Sequence, residues 1–264
     1  MSDLMTYVYG VTRADDALAE RLTALEGVVG APVRLVPEGG DGLALVASSV
    51  PAEDFREQAL RRRLEDLDWL TDVARAHHGI VEAVAAHATV LPLRLATVYL
   101  DDTRAREVLD SGREFFTDRL ARLSGHVEWG VKVYVDPSAA PEAPTGPAEA
   151  ELSPGRSYLR GRRQQQHHRD TVHQAAQRAA EGIEAAGRAY AAERARHRVQ
   201  QGTLAESAAG ENVVNDAYLV PLERGEAFRA EVARAADGLA GVRVEITGPW
   251  APYSFAMAPE ETEA

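Results

Sequence analysis

The sequence predicts an α+β fold, and three observations lead there. Strand-like runs alternate with helical ones, yet two of the strands flank a tight glycine-rich turn, so hairpins and helical crossovers are mixed. The C-terminal part closes on a strand–helix–strand unit. With 45% hydrophobic and 27% charged residues over 264 positions, the chain holds enough apolar material for one large or two ordinary domains. A doubly wound parallel sheet would need crossovers throughout and is not indicated.

TYVYGV (Thr6 to Val11) is rich in β-branched and aromatic residues and reads as the first strand. Asp15 or Asp16 caps the next helix, which runs towards Leu25 and stops at Glu26-Gly27. PVRLV (Pro32 to Val36) and GLALVASSV (Gly42 to Val50) flank EGGDG and form a hairpin. Those glycines are not read as a phosphate loop, because no Gly-Lys-Ser/Thr and no helix follow them.

Pro51 opens a helix whose first turn suits Glu53 and Asp54. Helical spacing continues through Phe55, Leu60, Leu64, Leu67 and Leu70, with a break at Leu67-Asp68, then resumes with Val73, Ile80, Val84 and His87 on one face. TVLPLRLATVYL (Thr89 to Leu100) alternates as one strand, with Arg94 on its polar side and Pro92 marking an edge or a strand start. DDTRAREVLDSGREFFTDRLARL is a helix capped by Asp101 or Asp102. HVEWGVKVYVD (His126 to Asp136) is a strand with Val127, Trp129, Val131, Val133 and Val135 on one face.

PSAAPEAPTGPAEAELSPG, with five prolines and two glycines, is a linker or long exposed loop. A long helix follows, from Arg156 to about Val199. Its apolar stripe of Val172, Ala176, Ala179, Ile183, Ala186 and Tyr190 is narrow and mostly alanine, which permits close helix approach. NDAYLVPL, a helix from Glu226 to Leu239 and VRVEIT (Val242 to Thr247) complete the unit, and the acidic PEETEA ends the chain.

Composition excludes several functions. A net charge of −12 argues against general binding to nucleic acid or an anionic membrane. Lys132 is the single lysine among 29 basic residues, a bias given little functional weight. The absence of cysteine removes disulfides, thiolate catalysis and Cys-ligated metal sites. MSDLMTYVYG has neither a basic leader nor a long apolar run, and no stretch reaches the length of a membrane span, so a cytoplasmic protein is expected.

Little in the sequence reads as catalytic. His77-His78 and His167-His168 are adjacent pairs whose members point about 100° apart on a helix, so neither pair chelates. They are read as solvated helix histidines. Asp170 and His173 alone do not make a metal site. There is no Gly-x-Ser-x-Gly, and the paired carboxylates of DDTR are ordinary caps. No cofactor or enzymatic activity is expected. RSYLRGRRQQQHHRD (Arg156 to Asp170) carries five arginines against one aspartate, which is either a solvated helix face or a docking surface for an acidic partner or another acidic patch of this protein; nucleic acid is disfavoured because no aromatic platform accompanies the arginines.

TGPWAPYSFA (Thr247 to Ala256) concentrates two prolines and three aromatics in a chain that is 6% aromatic. Pro249 and Pro252 fix φ and remove donors, so the segment is extended, bent and edge-like. Either its aromatics lock the chain's end onto the fold, or they present an aromatic surface that grips an apolar helix or strand. The residues alone favour the lock.

TGPWAPYSFA, NDAYLVP, TYVYGV, LPLRLATVY, EWGVKVYV and PGRSYL, taken together and in order, resemble the gas vesicle protein F/L family (GvpF/GvpL) over nearly the whole chain. The resemblance implies two domains, 1–124 and 125–258. The second is a modified ferredoxin-like fold with a long helix and a Pro/Ala-rich loop at 137–155, and 259–264 is a tail. It also implies a role in assembling gas vesicles, as an accessory or minor component that contacts the hydrophobic main shell protein and other accessory proteins, without enzymatic activity. On that reading Trp250, Tyr253 and Phe255 are candidate contacts, with Arg94, Arg160, Arg162 and Arg163 for charge pairing. A small-ligand-binding or enzymatic ferredoxin-like protein, and a minor structural component retained in the vesicle, stay open beside it.

Overall fold

Tyr7, Tyr9 and their neighbours from Thr6 to Thr12 are all buried, the mark of a strand covered on both faces. That strand, β1 (Leu4–Arg13), is central in a computed structural model that describes residues 3–38, 42–136, 154–199 and 210–256. The chain forms two compact units. One runs up to His126 and takes in the segment from Trp250; the other is Val127–Pro249.

In the first unit, β2 (Val33–Pro37) and β3 (Leu43–Pro51) form the expected antiparallel pair, Val33 facing Ser48 and Pro37 facing Ala44. The sheet order is β2-β3-β1-β4, with β4 (Val90–Pro92) and β5 (Val98–Tyr99) both pairing with β1. A bulge at Tyr9 shifts the β1–β3 register between Val8 and Gly10. Gly10 is required there, because a Cβ would lie 2.8 Å from the Leu91 carbonyl oxygen of the neighbouring strand.

Aspartates set the starts of three helices, through Asp15, Asp66 and Asp101. Asp15 caps α1 (Asp16–Leu22) by accepting from Leu18 N–H at 2.8 Å. Asp66 caps α4 (Leu67–Ala85) after two short helices, α2 (Ala52–Phe55) and α3 (Glu57–Arg63), so the expected break falls just before Leu67. On α4 the buried face is Val73, His77, Ile80, Val81 and Val84; His87 is exposed, and His77 takes the place on that face which the sequence assigned to it.

Two elements break where the pattern suggested continuity. TVLPLRLATVYL is two short strands separated by a turn, in which Ala96 takes φ 62 and both Thr97 N–H and Thr97 Oγ1 donate to the Arg94 carbonyl. That local bonding, with Pro92 unable to donate, ends the strand. The helix after Asp101 divides at Gly112 into α5 (Asp102–Ser111) and α6 (Arg113–Leu123). Thr6 Oγ1 donates to Asp102 at 2.7 Å while its neighbour Tyr7 turns to α4, so α4 and α5 cover opposite faces of the sheet.

The second unit runs β6 (His126–Val135), α7 (Pro154–Tyr190), β7 (Glu193–Arg196), β8 (Glu211–Pro221), α8 (Gly225–Arg234) and β9 (Val242–Trp250), in sheet order β7-β8-β6-β9. This is the β-α-β-β-α-β arrangement of ferredoxin-like folds. At 37 residues α7 is about 55 Å long. Its alanine stripe is buried as expected from Val172 to Ala186, and close approach to α8 follows: a Cβ on Gly182 would come within 3.0 Å of Ala235 Cβ. The helix ends at Tyr190, not near Val199. Glu193–Arg196 is instead an antiparallel strand, because β8 offers its backbone: Ala192 N–H donates to Leu219 and His197 N–H to Asn215, both at 2.8 Å. The Pro/Ala-rich stretch up to Leu152 and the acidic tail lie outside the described residues, among which no helix is long and apolar enough to cross a membrane.

Candidate partner-binding surface

The TGPW sequence turns the chain sharply. Gly248 adopts φ +129, and a Cβ there would lie 2.7 Å from the Glu128 carbonyl oxygen, so both conformation and space demand glycine. From Trp250 onward the chain lies in the first unit, ending in the helical turn α9 (Tyr253–Ala256).

The surface of α4 receives it. Ala251 N–H donates to Glu82 Oε1 at 2.9 Å, and the Trp250 ring meets His78 edge-on with centroids 5.4 Å apart. His78 and Glu82 are one helical turn apart, so a single α4 face holds both residues. The Tyr253 ring lies 6.1 Å from His78 and 6.4 Å from His77. Ala251, Phe255 and Ala256 are buried, Phe255 at 5% exposure, whereas Trp250 is 40% exposed. The segment therefore works as an anchor that leaves one indole at the surface.

A buried polar cluster supports this face from below. Tyr7 hydroxyl accepts from Ala96 N–H at 3.0 Å and lies 2.9 Å from His77 Nδ1. Tyr9 hydroxyl accepts from Val28 N–H and donates to Ser48 Oγ. Burial pulls the His77 imidazole down to about 4, with His78 adding to the effect, and raises both tyrosine hydroxyls. The ring is neutral and enclosed, contrary to the solvated histidine expected, and serves packing. The sequence did signal this face, since His77 falls in step with Val73, Ile80 and Val84 at helical spacing.

Arg94 is exposed on the turn whose Ala96 binds Tyr7. Arg162 and Arg163 are exposed on α7, more than two turns ahead of Val172, where the packed stripe begins; the Arg160 side chain lies outside the described residues. Arg162, Gln166, Arg169, Asp170 and His173 line an open groove of about 560 Å³. A second polar cleft of about 630 Å³, bordered by Arg13, Asp15, Arg21, His87 and Ser124, had no sequence signal. Trp250 and Tyr253 are thus brought together over α4, while the arginines of α7 belong to the other unit. Among the described residues, no three His, Cys, Asp or Glu side chains gather as a metal site.

Comparison with known proteins agrees with this architecture. The profile of the family described as Gas vesicle synthesis protein GvpL/GvpF matches residues 5–257. Gas vesicle protein L of Streptomyces sp. (strain CB03234) is 44% identical over 98% of this chain and 96% of its own. Gas vesicle protein F of the same strain is 27% identical, over 96% of this chain and 99% of its own. The crystal structure of GvpF from Anabaena sp. PCC7120 superposes with a TM-score of 0.62 at 19% identity, covering 97% of both chains. That of GvpF from Microcystis aeruginosa gives 0.61 at 19% identity, over 96% of this chain and 99% of its own. At such identity the two crystal structures speak for the fold.

Proposed function

Because the chain belongs to the GvpL/GvpF family of gas vesicle synthesis proteins, we propose that it acts in vesicle assembly by binding the hydrophobic main shell protein before that protein enters the growing wall. A shell subunit must present an apolar face to the gas, and such a face aggregates in water unless something covers it. An acidic binder that covers it shifts the subunit towards the dispersed state by mass action and gives it up to the wall.

The observation that carries this reading is Trp250, 40% exposed in a segment otherwise fastened by buried Ala251, Phe255 and Ala256. A large aromatic held rigid at the surface loses little entropy on binding, the usual character of an interface hot spot. Tyr253 widens the apolar surface, and Phe255 contributes by holding it in place. Arg94, Arg162 and Arg163 supply charge for the acidic groups of partners, other accessory proteins included.

Co-expression with the main shell protein, followed by affinity purification and gel filtration, tests the proposal. A soluble complex of fixed stoichiometry is the expected result. Shell protein that stays insoluble while this chain elutes alone rules out direct binding.

A further inference from the structure

The strand β9 ends the second sheet, whose order is β7-β8-β6-β9. One side of it pairs with β6; among the described residues no strand pairs with the other. Three contacts fix its antiparallel register on β6. Asp136 N–H donates to the Gly241 carbonyl at 2.8 Å, the Arg243 guanidinium lies 4.3 Å over the Tyr134 ring, and a Cβ on Gly130 would lie 2.7 Å from Thr247 Oγ1. They agree on 136 with 241, 134 with 243 and 130 with 247. Hydrogen bonding alternates along an antiparallel strand, so the odd-numbered residues of β9 bond to β6 and the even-numbered ones aim outward. Val242 N–H is taken by the Leu239 carbonyl at 3.3 Å. That leaves the Val242 carbonyl and both backbone groups of Val244 and Ile246 facing the open side.

Exposed edges invite pairing, and proteins blunt them with short strands and charges. The opposite edge, β7, is such a strand: four residues, three of them charged. By contrast the stretch of β9 before the turn at Gly248, Val242 to Thr247, carries Arg243 and Glu245 as its charged residues, of opposite sign and 3.1 Å apart. The edge is therefore complementary to itself.

We propose that β9 pairs antiparallel with β9 of a second copy of this chain, about a two-fold axis at Val244. In that register each Val244 N–H donates to the Val244 carbonyl of the other copy, and each Ile246 N–H to the other copy's Val242 carbonyl. Arg243 stands opposite Glu245 of the second copy, twice over, at the non-hydrogen-bonded positions where cross-strand side chains approach closest. Val242 meets Ile246 on the other face. Slipping the pairing by two residues in total puts Arg243 opposite Arg243 or Glu245 opposite Glu245, so like charges exclude the neighbouring registers. One patch satisfying itself is the character of a two-fold dimer interface.

Sedimentation velocity on the full chain tests this with Arg243→Glu, Glu245→Arg and the double exchange. Wild type is expected to dimerise in the micromolar range. Either single exchange sets like charges opposite each other at both pairs and weakens the dimer roughly tenfold or more. The double exchange restores opposite charges and with them the dimer. Independently of any variant, amide exchange at Val244 and Ile246 should slow as wild-type concentration rises. A wild type that stays monomeric at about 100 μM overturns the proposal. So does a dimer indifferent to the single exchanges, a double exchange that fails to recover it, or amide exchange independent of concentration.

Discussion

The Tyr7 hydroxyl stands 2.9 Å from Nδ1 of His77, with both rings buried between the first sheet and α4. The unfolded chain protonates this imidazole near its ordinary 6.5, whereas the fold holds the proton off down to about 4. The unfolded state therefore binds more protons in that window. The contribution of His77 to stability is undiminished above 6.5, falls as pH drops towards 4 and levels off below it. Comparing urea unfolding of wild type and His77→Gln, the gap between them should move against wild type by about 2 kcal/mol from about pH 7 to about pH 5. A gap independent of pH would show that His77 is not held neutral.

Two glycines should respond to alanine with opposite signs. At Gly248, φ +129 and the Glu128 carbonyl 2.7 Å from the site of a Cβ make Gly248→Ala unfavourable by about 1–3 kcal/mol. Gly79 lies in the interior of α4, where a Cβ would meet nothing within 4 Å, and Gly79→Ala should stabilise by about 1 kcal/mol through helix propensity. Thermal melting of the two variants reads both effects. A tolerated Gly248→Ala would mean that the turn before Trp250 can relax.

Much of this was legible because it is local. Asp15 and Asp101 announced their helices, and Val127 to Val135 alternate as a strand must. What the sequence hid depends on partners distant along the chain. ERAR has helical neighbours and no strand pattern of its own; it is a strand because β8 lies beside it. Helical spacing puts His77 on the apolar face, but nothing local says that Tyr7 and Ala251 arrive at His77 and Glu82 from 70 and 169 residues away. The two meanings of TGPWAPYSFA divide between its residues: Phe255 is packed inward, and Trp250 keeps a face in solvent.

Arg194 joins Asp216 through two N–H donors at 2.7 and 3.1 Å and reaches Glu184 with a third, inside the second unit. The Asp216 side chain is only 5% exposed. Removing the cation leaves a buried carboxylate unpaired, so Arg194→Ala should destabilise by about 3–5 kcal/mol. Replacing both, as Arg194→Met with Asp216→Leu, removes the uncompensated charge and should recover most of that loss. Guanidinium unfolding of the single and double variants checks the sign. A double variant as unstable as Arg194→Ala would mean that packing, not charge, accounts for the effect.

Trp250 and Phe255 provide the sharpest separation of folding from partner binding. Phe255 is buried, so Phe255→Ala opens a cavity and should destabilise by about 3–5 kcal/mol. Trp250 keeps 40% of its surface in water and rests against His78, so Trp250→Ala should cost about 1 kcal/mol, near the centre of the range for point mutations. If the indole is a hot spot for the shell protein, the order reverses in a capture experiment. Trp250→Ala then loses at least about 2 kcal/mol of binding, roughly thirtyfold. Phe255→Ala, assayed at a temperature where it remains folded, loses far less. Losses of capture that simply track losses of stability in both variants would place the binding surface elsewhere, with the arginines of α7 the next to be exchanged.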